Sequence, residues 1–340
     1  MRTTSKMVFM SLAVVTVLTA SQVQAATEFA MPAIPGFRAS APKTSPRFAL
    51  TVPVQVPAQL GVLKLAPVHT DATSVAQLAD RLGLRGEALE ENPGRWLVED
   101  VKGERRSLTV FGASGGTNFM NLDQLHIAPE NTPKLPSDAE AYTHALGFLK
   151  ERDLLPADFD TRLGTVTFHR PRLIERDMKR NVNQTVIETA VQVRFRQYWQ
   201  GLRVSGPGSK LYVMLGEGNV IEGLTRMART ATGVDMLLPA VSAAAALDAL
   251  GQGEGTYAVP TGCTTAKVTK MEVVYWSDSP RLAQDRSVPV YEIGGDCVDA
   301  QGKSLGEFFA YAPAAYAVPG FEPPQGEPRR EGPPWPREKR

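Results

Sequence analysis

The stretch from Val186 to Trp199 most narrows what this chain can build. Ile187, Val191, Val193, Phe195 and Trp199 fall on one side of an extended backbone, and Glu188, Gln192, Arg194 and Arg196 on the other. Successive strand side chains point to opposite faces, so this is an antiparallel strand with one face on a core and the other open. A half-buried strand needs both sheet neighbours and a cover for its apolar face.

The rest of the chain supplies candidates for both, in a repeating order of one amphipathic helix and then several strands. Thr73 to Leu82 reads as the first helix, with Asp71 or Thr73 as cap and Gly83 as stop. Strands Trp96–Val101, Ser107–Phe111 and Asn118–Leu122 follow it. Ser137 and Glu140 form a capping box, and Tyr142, Ala145, Leu146 and Leu149 share one apolar face of a second helix ending before Pro156. Its strands are Thr165–His169, the long one, Lys210–Leu215 and Val220–Arg226, the last two joined by the turn Gly216–Asn219. A third helix, Val241 to Leu250, precedes Ala266–Trp276, Val288–Cys297 and Leu305–Ala312.

Helices that stand in front of runs of strands predict an α+β fold class of two or three tandem helix-plus-antiparallel-sheet modules. The expected boundaries are 61–133, 134–232 and 233–316. A proline-rich linker (26–60) precedes them, and a proline-rich tail (317–340) too poor in apolar residues to build a core follows.

Residues 1–25 read as a secretory leader. Arg2 and Lys6 form a basic start, Met7–Ala20 is uncharged and apolar or small, and Val23-Gln24-Ala25 suits cleavage after Ala25. Fourteen residues are short of the ~20 that span a bilayer, so no transmembrane anchor is expected after cleavage. The expected location is secreted or periplasmic. Losing the leader removes two bases and no acid, which turns a formal charge of +1 into −1. That balance gives no electrostatic case for a nucleic-acid partner. Cys263 and Cys297 are the only cysteines, and an even pair in an oxidising compartment reads as one disulfide. A catalytic thiol is the rival reading, and it requires a thiol of lowered pKa.

Motifs for catalysis are sparse. Gly112-Ala113-Ser114-Gly115-Gly116 matches G-x-S-x-G, which would make Ser114 the nucleophile of a serine hydrolase, with His126, His144 and His169 downstream. No parallel βαβ frame surrounds it, and the same five residues suit a hairpin turn. The four histidines, His69 included, have no metal-ligand spacing. Gly302-Lys303-Ser304 lacks the glycine of a phosphate loop at position 297, and Gly251–Gly255 follows a helix where a dinucleotide cradle precedes one. No cofactor or metal is expected. Two binding surfaces remain. Arg170, Arg172, Arg176, Lys179 and Arg180, with Arg194 and Arg196 beyond them, suit either an acidic partner or a solvated face balanced by Glu175, Asp177 and Glu188. Trp96, Trp199 and Trp276 suit either a platform for a sugar polymer or the core.

Val193-Arg194-Phe195-Arg196-Gln197-Tyr198-Trp199-Gln200-Gly201-Leu202-Arg203-Val204, continuing through Ser205-Gly206-Pro207-Gly208, resembles the fungalysin/thermolysin propeptide (FTP) module. Val273-Val274-Tyr275-Trp276, Val288-Pro289-Val290-Tyr291-Glu292-Ile293 and Phe308-Phe309-Ala310-Tyr311 resemble the PepSY module that often follows it. The likeness covers about Ser137 to Ala314, and the first unit resembles a diverged PepSY copy. Two departures stand out: Gln197 and Tyr198 are adjacent where the family spaces them, and no zinc peptidase follows. The resemblance therefore implies a free-standing exported module that inhibits, chaperones or regulates a secreted peptidase or an envelope signalling protein. Under it, Phe195, Gln197, Tyr198, Gly201, Val204 and Gly206 are strand and turn positions and not catalysts. The expected function is non-catalytic binding of another exported or envelope protein, by a sheet edge or by the open face carrying Arg194 and Arg196. The alternatives are a hydrolase using Ser114 and a protein that binds envelope polymer or a small ligand.

Overall fold

The computed structural model describes residues 28–32, 45–100, 105–125, 132–177 and 182–322. The expected leader, residues 26–27 and 33–44 of the expected proline-rich linker, the tail from residue 323, His126, Lys179 and Arg180 lie outside them.

Among the described residues the chain is mostly β-structure, 45% strand against 15% helix, and it is not a string of helix-plus-sheet modules. Strands from nearly the whole length join one 15-stranded mixed sheet. Its order runs Thr256–Ala258, Ser304–Pro313, Pro289–Val298, Thr265–Trp276, Leu202–Ser205, Val191–Trp199, Lys210–Leu215, Ile221–Met227, Gly116–Asn121, Arg106–Phe111, Arg95–Glu99 and Leu89–Asn92. Arg47–Leu50 pairs beside Thr265–Trp276, and Phe159–Asp160 and Thr167–His169 pair beside Val191–Trp199. A three-stranded sheet (Ala231–Pro239, Gln59–Leu65, Arg286–Ser287) and the hairpin Arg172–Asp177/Val182–Glu188 complete the β-structure.

The modular expectation fails at two joints. Ile221–Met227 pairs with Gly116–Asn121, so strands expected in separate units share one ladder. Leu202–Ser205 turns back from Val191–Trp199 and then pairs in parallel with Thr265–Trp276, Val204 beside Tyr275 and Ser205 beside Trp276. Alternation states which face of a strand is buried, but an exposed edge of backbone N–H and C=O groups accepts whichever strand is brought to it.

The three helices form where their caps place them. In α1 (Ala72–Arg81) the Asp71 carboxylate accepts the Ser74 N–H at 2.8 Å; in α2 (Asp138–Glu151) Ser137 and Glu140 close a reciprocal box; in α3 (Ala243–Gly251) Ser242 caps Ala245. Helices α1 and α2 cover the same sheet face, laying Val75, Leu78, Ala145 and Leu149 against Leu108, Phe119, Val193 and Phe195. Each fully buried leucine or phenylalanine there contributes about 1.5–3 kcal/mol. Helix α3 covers the other half of the sheet, against Ala266, Val268, Ile293 and Phe308. The reverse face of that half packs against Val62 and Leu238 through Val274, Trp276 and Val290. Among the described residues no helix covers the outer face of the first half.

Cys263 and Cys297 form the expected disulfide, with Cα atoms 5.5 Å apart. The bridge ties the start of Thr265–Trp276 to the antiparallel neighbour Pro289–Val298, where Ala266 lies opposite Cys297. Its 34-residue separation gives a loop-closure stabilisation of about 3–4 kcal/mol. Urea denaturation of C263A/C297A should show a loss of that size; an unchanged midpoint would leave the bridge without a stabilising role.

Glu222 is the extra residue of a bulge, since Met214 pairs with Gly223 and Leu215 with Ile221. Its carboxyl lies against Gly216, where a Cβ would come within 2.0 Å of Oε1. Burial pushes its pKa up from 4.5 to about 7. The unfolded chain therefore releases this proton first, and stability falls as pH rises from near 4.5 through about 7. E222Q removes the effect. It should match the parent protein at a pH of about 4 and exceed it by about 1–2 kcal/mol near pH 8, after allowance for solvent screening. Parallel pH profiles of the two proteins would contradict this.

Candidate functional site

Three of the four motif stretches singled out in the sequence meet at one place. Arg203 and Ser205 come from the short strand Leu202–Ser205, Glu292 from Pro289–Val298, and Tyr311 from Ser304–Pro313. Arg203 donates to Glu292 Oε1 at 2.5 Å and also to Glu272. The Ser205 hydroxyl donates to Glu292 Oε2 at 2.5 Å and lies 2.8 Å from the Tyr311 hydroxyl. Lys270 Nζ stands 3.0 Å from Glu272 and 3.6 Å from Glu292. Burial on its own would lower the Arg203 pKa, but Glu292 and Glu272 outweigh it and hold the guanidinium above its ordinary value. Burial also raises the Tyr311 phenol. Glu292 is thus a carboxylate held by Arg203, Lys270, Ser205 and Tyr311, and its oxygens are already engaged.

This network floors a cavity of about 330 Å³ at a fork in the sheet. Lys210–Leu215 pairs with the long strand as far as Phe195 opposite Leu211, and Leu202–Ser205 begins at Tyr198 opposite Arg203. That register leaves Arg196 and Gln197 without a strand neighbour on the forked side. The chain between the two branches, Gly206 to Ser209, borders the opening. Gly206 has φ +105°, and a Cβ there would stand 2.4 Å from the Ser277 carbonyl oxygen, so only glycine fits.

Three further cavities continue the opening across the uncovered face. Arg196 and Ser209 also line a neighbour of about 370 Å³ with Arg194, Lys210 and Tyr212. Lys210 and Tyr212 in turn line a cavity of about 360 Å³ with Arg95, Phe111 and Arg281. In the other direction, Arg196, Arg203 and Lys270 border a cavity of about 530 Å³ walled by Pro53, Val54 and Pro57. Seven basic residues line this trough against two acids, Glu272 and Glu292, both already paired with Arg203.

Pairing varies over the surface: Arg95 at one end of the trough pairs with Glu91 at 3.2 Å, Lys150, Lys267 and Lys303 outside it have no carboxylate among the described residues, and several arginines elsewhere are matched by acids. Arg105 pairs with Asp123, Arg162 with Asp160, Arg170 with Asp138 and Glu188, and Arg172 with Glu188. In the trough, Arg194 donates to the amide oxygen of Gln192 at 2.5 Å and to no carboxylate. Arg196, Lys210 and Arg281 have no carboxylate within reach among the described residues.

The sequence-selected residues separate by face. Arg194 and Arg196 are exposed in the trough, while Phe195 is in the core under α2. Gln197 is 1% exposed; its Nε2 donates to Asp158 Oδ2 at 2.6 Å and to the Arg229 carbonyl at 2.7 Å, and its Oε1 has no partner. Tyr198 borders the cavity of about 530 Å³, and Gly201 with φ +80° makes the turn into Leu202–Ser205. Val204 packs with Leu63, Trp199 and Tyr275. Ser114 is 4% exposed, and its Oγ accepts the Gly116 N–H at 3.0 Å within the hairpin turn from Phe111 to Gly116. Trp96, Trp199 and Trp276 pack in three separate clusters, so they share no platform. Among the described residues no His, Cys, Asp and Glu group could hold a metal ion, and no helix is long and apolar enough to cross a membrane.

Arg95, Lys210, Lys270 and Arg281 escaped the sequence reading. Lys210 alone carried a signal, since its parity places it beside Arg194 once the pairing of Arg194 with Tyr212 is known. The others arrive from strands and a loop that no local pattern connects.

No family model matches the chain, and no curated protein matches it. Among solved structures, an uncharacterized protein from Eubacterium rectale ATCC 33656 aligns with 11% identity and a TM-score of 0.45, over 79% of this chain and 89% of that chain.

Proposed function

We propose that this protein is an exported, non-catalytic binding module that docks an acidic polypeptide partner on the uncovered face of its sheet. One observation carries the reading: Arg194, Arg196, Lys210 and Arg281 stand along one trough without carboxylate partners, on a chain whose overall charge is near zero. Opposite charge steers such a partner into contact and fixes its placement. Export is supported by the basic start, apolar stretch and small-residue cleavage pattern of residues 1–25, and by a disulfide suited to an oxidising compartment. The resemblance to propeptide modules supports a secreted peptidase or an envelope signalling protein as the owner of the acidic segment.

The test is calorimetric titration of the mature chain with an oligoglutamate peptide and, separately, with an oligogalacturonate of similar charge. Binding of the peptide that weakens steeply with added salt is the expected result. Tight binding of the glycan with none of the peptide would assign the trough to an envelope polymer instead. A variant with Arg194, Arg196 and Lys210 reversed to glutamate should no longer bind the peptide.

A further inference from the structure

We infer that the cavity of about 530 Å³ is a slot for strand addition, in which an extended segment of the partner, alternately acidic and apolar, pairs with the free edge of Thr265–Trp276. This rests on the reading of the trough as a site for an acidic polypeptide, and adds where and in what conformation the polypeptide is held.

The backbone is the first observation. Thr265–Trp276 pairs with Pro289–Val298 along one side; on the other it pairs with Arg47–Leu50 as far as Val268 and with Leu202–Ser205 from Tyr275 onward. Between these two, Thr269 to Val274 have no strand on that side, an opening of about six strand steps or roughly 20 Å. Trp276 N–H donates to the Val288 carbonyl at 3.0 Å, and Pro289, which has no N–H, lies opposite Tyr275. Residues of an antiparallel pair alternate between facing the neighbour and facing away. Val274, Glu272 and Lys270 therefore face Pro289–Val298, while Val273 and Met271 turn their N–H and C=O groups into the opening. Among the described residues no hydrogen bond reaches those four groups. Donors and acceptors repeated at every second residue along a line are what an extended polypeptide matches, and a compact anion or a polysaccharide does not.

The opposite wall is the second. Thr51 N–H donates to the Val268 carbonyl at 3.0 Å, and from there to Ala58 the chain forms no strand. Pro53 and Pro57 line the cavity and have no N–H with which to close the ladder. Val54 and Val56 pack this segment against the core under α3.

Side chains are the third. Arg196, Arg203 and Lys270 border the slot, with Glu272 as the one acid there among the described residues, shared by Arg203 and Lys270. Met271, Val273 and Val54 belong to the core under α3. Side chains of a strand alternate between its faces, so acidic residues of the added segment meet Arg196 and the apolar residues between them cover Met271 and Val273.

The experiment titrates the mature protein calorimetrically, at low salt, with end-capped hexapeptides of three glutamates and three valines. The alternating sequence should bind about tenfold tighter than a block sequence of the same composition and charge. A strand added at an edge bonds to it through every second residue. N-methylation of the glutamates and N-methylation of the valines should therefore differ, one losing about tenfold and the other staying within about threefold. V273P removes one N–H of the opening and no bond of the ladder, a place where an edge strand tolerates proline. It should weaken the alternating peptide about tenfold and leave the block peptide within about twofold. Equal affinity of the alternating and block peptides, equal effects of the two methylations, or unaltered binding in V273P would overturn the slot while leaving the trough standing. Should V273P not fold, hydrogen exchange in the parent protein decides. Slowing of the Met271 and Val273 amides by about tenfold or more under saturating alternating peptide supports the slot, and unchanged rates overturn it. If no acidic peptide binds at low salt, the trough reading fails and this inference with it.

Discussion

Reversing Arg194, Arg196 and Lys210 together to glutamate is expected to weaken oligoglutamate binding at least a hundredfold at low salt, about 3 kcal/mol. A single exposed ion pair contributes only about 0.2–1 kcal/mol, so no one substitution would suffice. Reversal counts twice at each position, because an attraction is replaced by a repulsion, and three neighbouring reversals turn the local field over. All three side chains are exposed, and the one bond lost is that of Arg194 to Gln192. Circular dichroism and melting temperature should therefore stay close to those of the parent protein. The matching control reverses Lys150, Lys267 and Lys303, which are exposed, outside the trough, and equal in charge. If that control weakens binding as much as the trough variant does, affinity belongs to net charge and the site assignment fails. Most of the loss should appear as slower association, since steering acts before contact.

The same residues show how far a single sequence could be read. Arg194 and Arg196 were placed correctly because a period of two is local: it requires only that Val193 and Phe195 be buried. The cap at Ser137, a first-helix cap narrowed to Asp71 or Thr73 that falls on Asp71, and the pairing of Cys263 with Cys297 were legible for the same reason, each depending on a few residues or on a count. The hairpin of Lys210–Leu215 with Ile221–Met227 was legible too, and what failed was the pairing of strands distant in sequence. Nothing local in Ile221–Met227 states that its free edge takes Gly116–Asn121, about a hundred residues earlier, in place of a strand of its own unit. The expected tandem modules dissolve into one sheet at that joint, and the trough exists only because of it: Arg95 and Lys210 share a surface through strands that this pairing brings together. The fork that opens the smaller cavity is equally invisible, since it arises where Leu202–Ser205 leaves one neighbour for another.

Arg229 is where that joined architecture is most exposed to damage, and R229M is expected to cost about 3–5 kcal/mol of stability. The side chain is 3% exposed and enters from the end of Ile221–Met227 into the loop that follows Thr265–Trp276. There it donates to the carbonyls of Asp278 at 2.8 Å, Ser279 at 3.0 Å and Leu282 at 2.7 Å, and to Ser277 Oγ at 3.2 Å. Burial lowers its pKa to about 10, partly opposed by Asp278, so it remains a cation at neutral pH. Methionine fills much of the same volume but leaves those acceptors unsatisfied, and each would cost about 1–3 kcal/mol where water does not reach it. R229K keeps the charge with a single nitrogen and should recover only part of the loss. The consequence extends to binding, because this loop carries Arg281 and Pro280 into the trough, and Ser277 N–H donates to the Ser205 carbonyl at 2.8 Å beside the fork. In R229M, at a temperature where it is still folded, oligoglutamate affinity should therefore fall a few-fold. A loss of less than about 1 kcal/mol on urea denaturation would show that water or the backbone replaces the guanidinium, and that the two halves of the sheet do not depend on this residue.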